Sequence, residues 1–371
     1  MESIRKKGRR RQYNFLFFYI LIVFLILWIS LFLYQKYLQK KVIQQTKIES
    51  SVGISTLEKI NLGGVDQWIL IRGKNKLNPI LLFLHGGPGA PLFPYARQIG
   101  FYTNLENHFT LVYWEQRGTG KSYSPSILPE NMTIDQLVSD THELIEIILD
   151  RFQVAQIYLL ARSWGSLIGI FTVQKYPELI SAYISIGQIV SPIKNDSLSY
   201  QYTIALAKRL DNHKALNELN KIGLPPYHYK NLIIQRKWLT KFRAKNQELS
   251  FFSNLNILLS TPEYSLKDIF FIGCDPFFSL KHLWNKEYYN IDLFYDVPEV
   301  LIPVYFCAGK YDYFTPAILT EKYFNHINAP KGKKLILFNN SGHHPEYDEP
   351  EKFYQTIVEN ILKNQRNNHT K

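Results

Sequence analysis

Residues 156–169 read Gln-Ile-Tyr-Leu-Leu-Ala-Arg-Ser-Trp-Gly-Ser-Leu-Ile-Gly, and the fold turns on how Ser163 is read within them. Gln156–Ala161 is a short apolar run of buried-strand length, and Trp164–Tyr176 has a helical pattern. A serine at the junction, with small residues on both sides, fits a tight strand-to-helix turn that exposes the hydroxyl at the top of a sheet. The flanking residues must be small because the two backbones approach closely there. Ala161 stands where such turns commonly carry glycine, which adds one methyl at the tight spot. The helix N-terminus would also favour a developing negative charge. A serine that only caps a helix is the competing reading, and these residues alone do not separate the two.

The surrounding chain repeats the strand–helix rhythm. Strand-like runs fall at Asp66–Ile71, Pro79–Leu84, Phe109–Trp114 and Ile180–Ile186, with a helix from Thr133 to Phe152. Further on, Pro303–Ala308 and Lys334–Phe338 read as strands, and Pro316–Ile327 and Glu349–Leu362 as helices. Short buried strands alternating with helices predict a mostly parallel sheet with helices on both faces. Residues 190–295 break the pattern, being rich in Lys, Asn, Leu and aromatics at helical spacing. They read as a helical cap inserted between core blocks 51–189 and 296–371. Its natural place is above the strand ends, where such sheets bind ligands.

A serine hydroxyl becomes a useful nucleophile only when a base takes its proton and an acid orients that base. Asp312 falls in the loop Gly309–Pro316 after one strand, and His343 in the loop Asn340–Pro345 after the next. His343 is preferred because Gly342 precedes it, with His344 as the alternative. Singly, a loop Asp is more often a turn residue and a loop His a surface one; together, after consecutive strands, they are poorly explained by chance. Acyl transfer also needs donors for an oxyanion. His85-Gly86-Gly87-Pro88-Gly89 follows the Pro79–Leu84 strand and offers bare backbone, with Gly87 the expected donor and Gly86 the alternative. The second donor is the N–H of Trp164. Alone, this glycine loop would read as a tight turn.

Five stretches in this order carry a family resemblance: HGGPG (85–89), WEQRGTGKS (114–122), SWGS (163–166), GKYDYFTP (309–316) and SGHHPEYDEPEKF (341–353). The chain resembles the proline iminopeptidase group of the α/β-hydrolase superfamily over roughly residues 55–190 and 300–362. The resemblance implies an eight-stranded sheet, a helical cap, Ser163 as nucleophile, His343 as base and Asp312 as its orienter. It implies cleavage of an N-terminal residue from short peptides, without metal or cofactor. Two departures stand out. Glu115 replaces the group's usual aspartate. Those peptidases also hold the substrate's free amine with acidic side chains, and none of Asp196, Asp211, Glu218, Glu248, Glu263, Asp268, Asp275 or Glu287 can be matched to that role from sequence. An esterase, lipase-like or amidase activity on an uncharged acyl substrate is therefore the alternative, with the substrate bound under cap aromatics such as Phe251, Phe252, Phe277, Phe278 and Trp284, though core packing is the simpler use of those rings. A non-catalytic binding protein on the same fold is the third reading, opposed by the intact Ser, Asp and His set. A serine at the nucleophile position argues against epoxide hydrolases and dehalogenases, which would want a carboxylate there.

At the N-terminus, Phe15–Tyr34 is twenty residues without a charge, about 30 Å of helix and so a bilayer's hydrocarbon thickness. Residues 1–11 carry six Lys/Arg against one Glu, +5 of the chain's total of +12. That asymmetry predicts an uncleaved signal anchor: a cytoplasmic tail (1–14), a transmembrane helix (15–34), a polar stalk (35–50) and a catalytic domain outside the cytoplasm. A cleavable signal peptide should have a shorter apolar core and small residues at its exit. The remaining charge is scattered with no reading motif, which argues against nucleic-acid binding. Two cysteines, Cys274 and Cys307, give neither a disulfide framework nor metal-ligand spacing; Cys307 reads as a strand filler.

Overall fold

The computed structural model describes residues 2–243 and 251–363. One sheet holds eight strands: β1 (Ile54–Leu62), β2 (Val65–Gly73), β3 (Ile80–Leu84), β4 (Thr110–Glu115), β5 (Ile157–Arg162), β6 (Ile180–Ile186), β7 (Val304–Gly309) and β8 (Lys333–Phe338). Their order is β1-β2-β4-β3-β5-β6-β7-β8. The last six in that order run parallel, and β1 and β2 are antiparallel to their neighbours. The loops after β3, β5, β7 and β8 therefore open on one edge. Seven strands coincide with the runs expected from sequence. The reading of the residues did not find β1, a half-exposed edge strand whose Ser55, Glu58, Lys59 and Asn61 blur its alternation. The signal it carries is its turn, Gly63-Gly64, with φ of 53° and 75°, the left-handed pair that a two-residue hairpin requires.

Strand pleating divides the core into two layers. Leu82 and Leu84 pack on one face with Leu144 and Leu167, and Leu81 and Phe83 on the other with Phe93 and Ile357. The helices supplying these partners include α2 (Phe93–Tyr102), α3 (Ile134–Phe152) and α4 (Trp164–Lys175), which follow an N-terminal α1 (Glu2–Gln45). Cys307 is buried in β7 and both cysteines are free.

Between β6 and β7 the described residues hold helices and no strand: α5 (Pro192–Arg209), α6 (His213–Ile222), α7 (Tyr229–Arg243), α8 (Phe251–Ser260), α9 (Leu266–Cys274), α10 (Phe278–Leu283), α11 (Lys286–Asn290) and α12 (Leu293–Asp296). After β7 come α13 (Ala317–His326), α14 (Pro345–Asp348) and α15 (Pro350–Tyr354). The final helix, expected as one piece over 349–362, is α15 followed by a π-helical stretch, Gln355–Leu362.

From Asn14 to Gln45, α1 is long and apolar enough to cross a membrane. The helix does not stop at Tyr34, so the segment read as a polar stalk is helical to Gln45. It is also docked. Gln35 and Gln39 are buried, and their side-chain amides donate to the Thr261 and Tyr264 carbonyls at 2.7–3.2 Å. Tyr34 donates to Asn256 at 3.3 Å. Amides can do this because glutamine keeps two donors on a stem that packs like an apolar side chain.

Candidate active site

Ser163 sits at φ 51°, ψ −121°, between β5 and α4. That backbone state is rare for a residue with a Cβ and is strained. Close packing holds it. A Cβ on Gly165 would stand 2.5 Å from the Leu84 carbonyl oxygen, so no larger residue fits there. The extra methyl of Ala161 is met by another glycine, because a Cβ on Gly169 would lie 2.8 Å from the Ala161 Cβ. The Ser163 amide donates to Ile186 at 2.8 Å, and Ser166 returns a hydroxyl to the Ser163 carbonyl at 2.6 Å.

The loops after β7 and β8 bring Asp312 and His343 together, with Asp312 Oδ2 and His343 Nδ1 2.7 Å apart. Both carboxylate oxygens of Asp312 are occupied. Oδ1 accepts the Phe314 and Thr315 amides at 2.8 and 3.0 Å, and Oδ2 also accepts the Thr315 hydroxyl at 2.6 Å. Burial alone would raise the Asp312 pKa, but the adjacent His343 and these donors hold it at about 2. The two loops touch through bare backbone, since a Cβ on Gly309 would stand 1.9 Å from the Gly342 oxygen. Gly187, which follows β6 at φ 62°, leaves room for Thr315 and Asp312. His344 has other partners, its Nδ1 lying 3.4 Å from Glu346 and 3.3 Å from Arg162.

Glu346 is buried and accepts from Arg162 at 2.7 Å. Burial opposes its charge, yet His344 and Arg162 lower its pKa to about 2. The loop carrying His343 is pinned by two more acids: Gly342 donates to Asp348 at 2.9 Å, and Ser341 to Glu349 at 2.6 Å.

The glycine loop lies against the serine, for a Cβ on Gly86 would be 3.1 Å from the Ser163 Cβ. His85 fixes it: Nδ1–H donates to the Gly86 carbonyl at 2.8 Å while Nε2 accepts the Gln116 amide at 3.1 Å. Full burial lowers the His85 pKa to about 4, so the ring is neutral. Trp164 is the first residue of α4, and its N–H has no intrahelical acceptor. The residues at and just after the end of β4 each hold a neighbour. Glu115 accepts the Leu92, Phe93 and Lys121 amides at 2.6–3.1 Å and the Tyr264 hydroxyl. Burial, opposed by these bonds, raises its pKa to about 7. Arg117 and Asp140, both fully buried, pair at 2.9 Å. From sequence this stretch stands out only as part of a motif, with Glu115 as a departure from it. Its supporting roles depend on which backbone amides the fold brings to each side chain.

A cleft of about 720 Å³ separates the sheet edge from the inserted helices. Gly86, Gly87, Ser163 and His343 line its floor, and Leu232, Arg236, Leu280, Trp284 and Tyr288 its roof. Phe277 is half-exposed at the cleft and Phe278 is buried; the side chains of Phe251 and Phe252 lie outside those described. Among the described residues no Asp or Glu lines the cleft. Asp196 is buried against Arg236 at 2.7 Å and Tyr289 at 2.8 Å, Glu218 meets Lys237, Glu263 meets Arg97, and Asp268 meets Lys121. Glu248 lies outside the described residues. No group of three or more His, Cys, Asp or Glu among them is placed to hold a metal ion.

A family model for the α/β hydrolase fold matches residues 79–350. The probable aminopeptidase YbaC of Bacillus subtilis (strain 168) is 32% identical over 315 residues, covering 84% of this chain and 97% of the relative. The proline iminopeptidase of Saccharolobus solfataricus is 27% identical over 306 residues, 78% of this chain and 86% of that one. In three dimensions, the crystal structure of a proline iminopeptidase from Mycobacterium smegmatis superposes with a TM-score of 0.58 at 15% identity, over 84% of this chain and 99% of that one. The chain belongs to the α/β-hydrolase family, within its proline iminopeptidase-like group.

Proposed function

We propose that this hydrolase is a membrane-anchored serine aminopeptidase that removes an N-terminal residue from short peptides through an acyl-enzyme. The observation carrying this reading is the Asp312–His343 contact of 2.7 Å, with His343 lining the same cleft as Ser163 on its strained turn. The relatedness to peptidases supplies the substrate class. In the proposed reaction His343 Nε2 takes the Ser163 proton as Oγ attacks the scissile carbonyl, while the Gly87 and Trp164 amides hold the oxyanion. Asp312 stabilises the imidazolium that results. His343 then protonates the leaving amine, and water releases the acyl group by the same steps. The anchor is α1, and Arg5–Arg11 would keep the tail cytoplasmic.

One observation favours a second reading, an esterase or amidase acting on an uncharged acyl group. A substrate ammonium needs a paired carboxylate when it is desolvated, and none of the described cleft residues supplies one. A substrate panel on the full chain separates the two. L-Prolyl and L-alanyl amides cleaved well with a free amine and poorly when N-blocked would establish the aminopeptidase. Ester turnover indifferent to the amine would establish the second reading. No turnover of either class, and no labelling of Ser163 by a fluorophosphonate, would overturn the serine hydrolase reading.

A further inference from the structure

The helix α1 does not merely lead to the catalytic domain; it carries one cap helix alongside it. Two contacts set the register: Tyr34 meets Asn256, and Gln39 meets the Thr261 carbonyl, so both pairs are 222 residues apart. A constant offset with both numbers rising means that α1 and α8 run parallel, residue beside residue. Extending that register places Asn254 level with Phe32. Phe251, the first described residue of α8, falls level with Ile29, inside the uncharged Phe15–Tyr34 run. Five residues of α8 thus extend about 7 Å past the level of Tyr34, at 1.5 Å per residue.

Composition and exposure fit that depth. The α8 sequence, FFSNLNILLS, has no charge. Helix α9 begins two residues after Tyr264, the carbonyl gripped by both Gln35 and Gln39, and none of its nine residues is buried although it contains Ile269-Phe270-Phe271-Ile272. Phe270 is 67% exposed. The cap segment 208–243 is strongly basic, with nine Lys/Arg against two acids. Arg236 and Lys237 of this segment are paired with Asp196 and Glu218; basic side chains near a bilayer are drawn to acidic headgroups.

We infer that the cap itself rests on an anionic bilayer, with the first turn of α8 in the headgroup and upper acyl layer and the basic cap face over acidic headgroups. The inference rests on the proposed anchoring by α1. It bears on access, because the cap also roofs the cleft, through Leu232, Arg236 and Thr240 of α7.

The test uses the full chain in nanodiscs, with Cys274→Ser removing the exposed thiol. Single fluorophores are placed at Asn254→Cys, at Leu33→Cys within the apolar run, and at Leu77→Cys beside the far end of α1. Quenching by doxyl-labelled lipid is then read in discs with and without phosphatidylglycerol. The expected result is quenching at 254 at least half that at 33, none at 77, and a decline of several-fold at 254 when the anionic lipid is omitted. Quenching at 33 without quenching at 254 would overturn the inference and leave the anchor standing. Quenching at neither would overturn both. Quenching at 254 unaffected by anionic lipid would remove the basic face from the account.

Discussion

The Arg162 guanidinium donates to Glu346 at 2.7 Å, tying the residue before Ser163 to the turn that begins just after His343. Glu346→Ala would leave Arg162, about nine-tenths buried, without its countercharge. A loss of about 3 kcal/mol is expected in urea unfolding, with a fall in turnover as the His343 loop shifts. Adding Arg162→Met should recover much of the stability. A loss under about 1 kcal/mol in the single variant would show that the pair is not structural.

Ser163→Ala should lower turnover by at least about 10³-fold if the hydroxyl is the nucleophile. Its melting temperature should stay within a degree or two of the parent, since Ser163 makes its contacts here through its backbone. Substantial turnover in pure variant protein would remove Ser163 from the chemistry.

Asp312→Asn keeps the shape but cannot serve His343 Nδ1–H and the Phe314 and Thr315 amides equally well. The expected effect is a fall in kcat of about 10²–10⁴-fold with KM little changed. Equal changes in both would point to cleft distortion.

Acid should unfold the protein through two carboxylates. Asp312 and Glu346 are each held at about 2 in the fold, below their ordinary values of 3.8 and 4.5. A depressed carboxylate contributes stability that is complete above its unfolded pKa and lost as pH falls through the folded one. Each should therefore forfeit about 2–3 kcal/mol between pH 5 and pH 2. Urea midpoints at pH 5 and pH 3 in the parent and in Asp312→Asn/Glu346→Gln measure this. Equal slopes in the two proteins would refute it.

Glu115 has the opposite sign. Its pKa is raised from 4.5 to about 7, so the native state binds more protons than the unfolded chain in that window, and stability declines as pH rises through it. Relative to Glu115→Gln, the parent should lose up to about 3 kcal/mol between pH 5 and pH 8. A difference independent of pH would mean that the carboxylate is ionised throughout.

Seven of the eight strands and the loops bearing Ser163, Asp312 and His343 were legible in the sequence because their signals are local: apolar runs of strand length, glycines at tight turns, and polar residues just beyond strand ends. The partnering of His343 rather than His344 with Asp312 was readable only as a preference. What escaped has its cause in long-range contact. Gly169 makes room for Ala161 from two turns into α4, Gly187 from the end of another strand, and Glu115 gathers amides from residues separated along the chain. The docking of Gln35 and Gln39 escaped for the same reason: a polar segment after an apolar run looks alike whether it is a free linker or a packed helix.

With Ser163 as the proposed nucleophile, its left-handed backbone sets selection for heat resistance against selection for activity. Holding a residue with a Cβ at φ 51° costs on the order of 1–3 kcal/mol, and glycine would be free of that cost. A library of variants screened for survival on heating alone would therefore enrich Ser163→Gly, a protein sturdier than its parent and stripped of its hydroxyl. Engineering this scaffold for durability needs a readout of chemistry at every round.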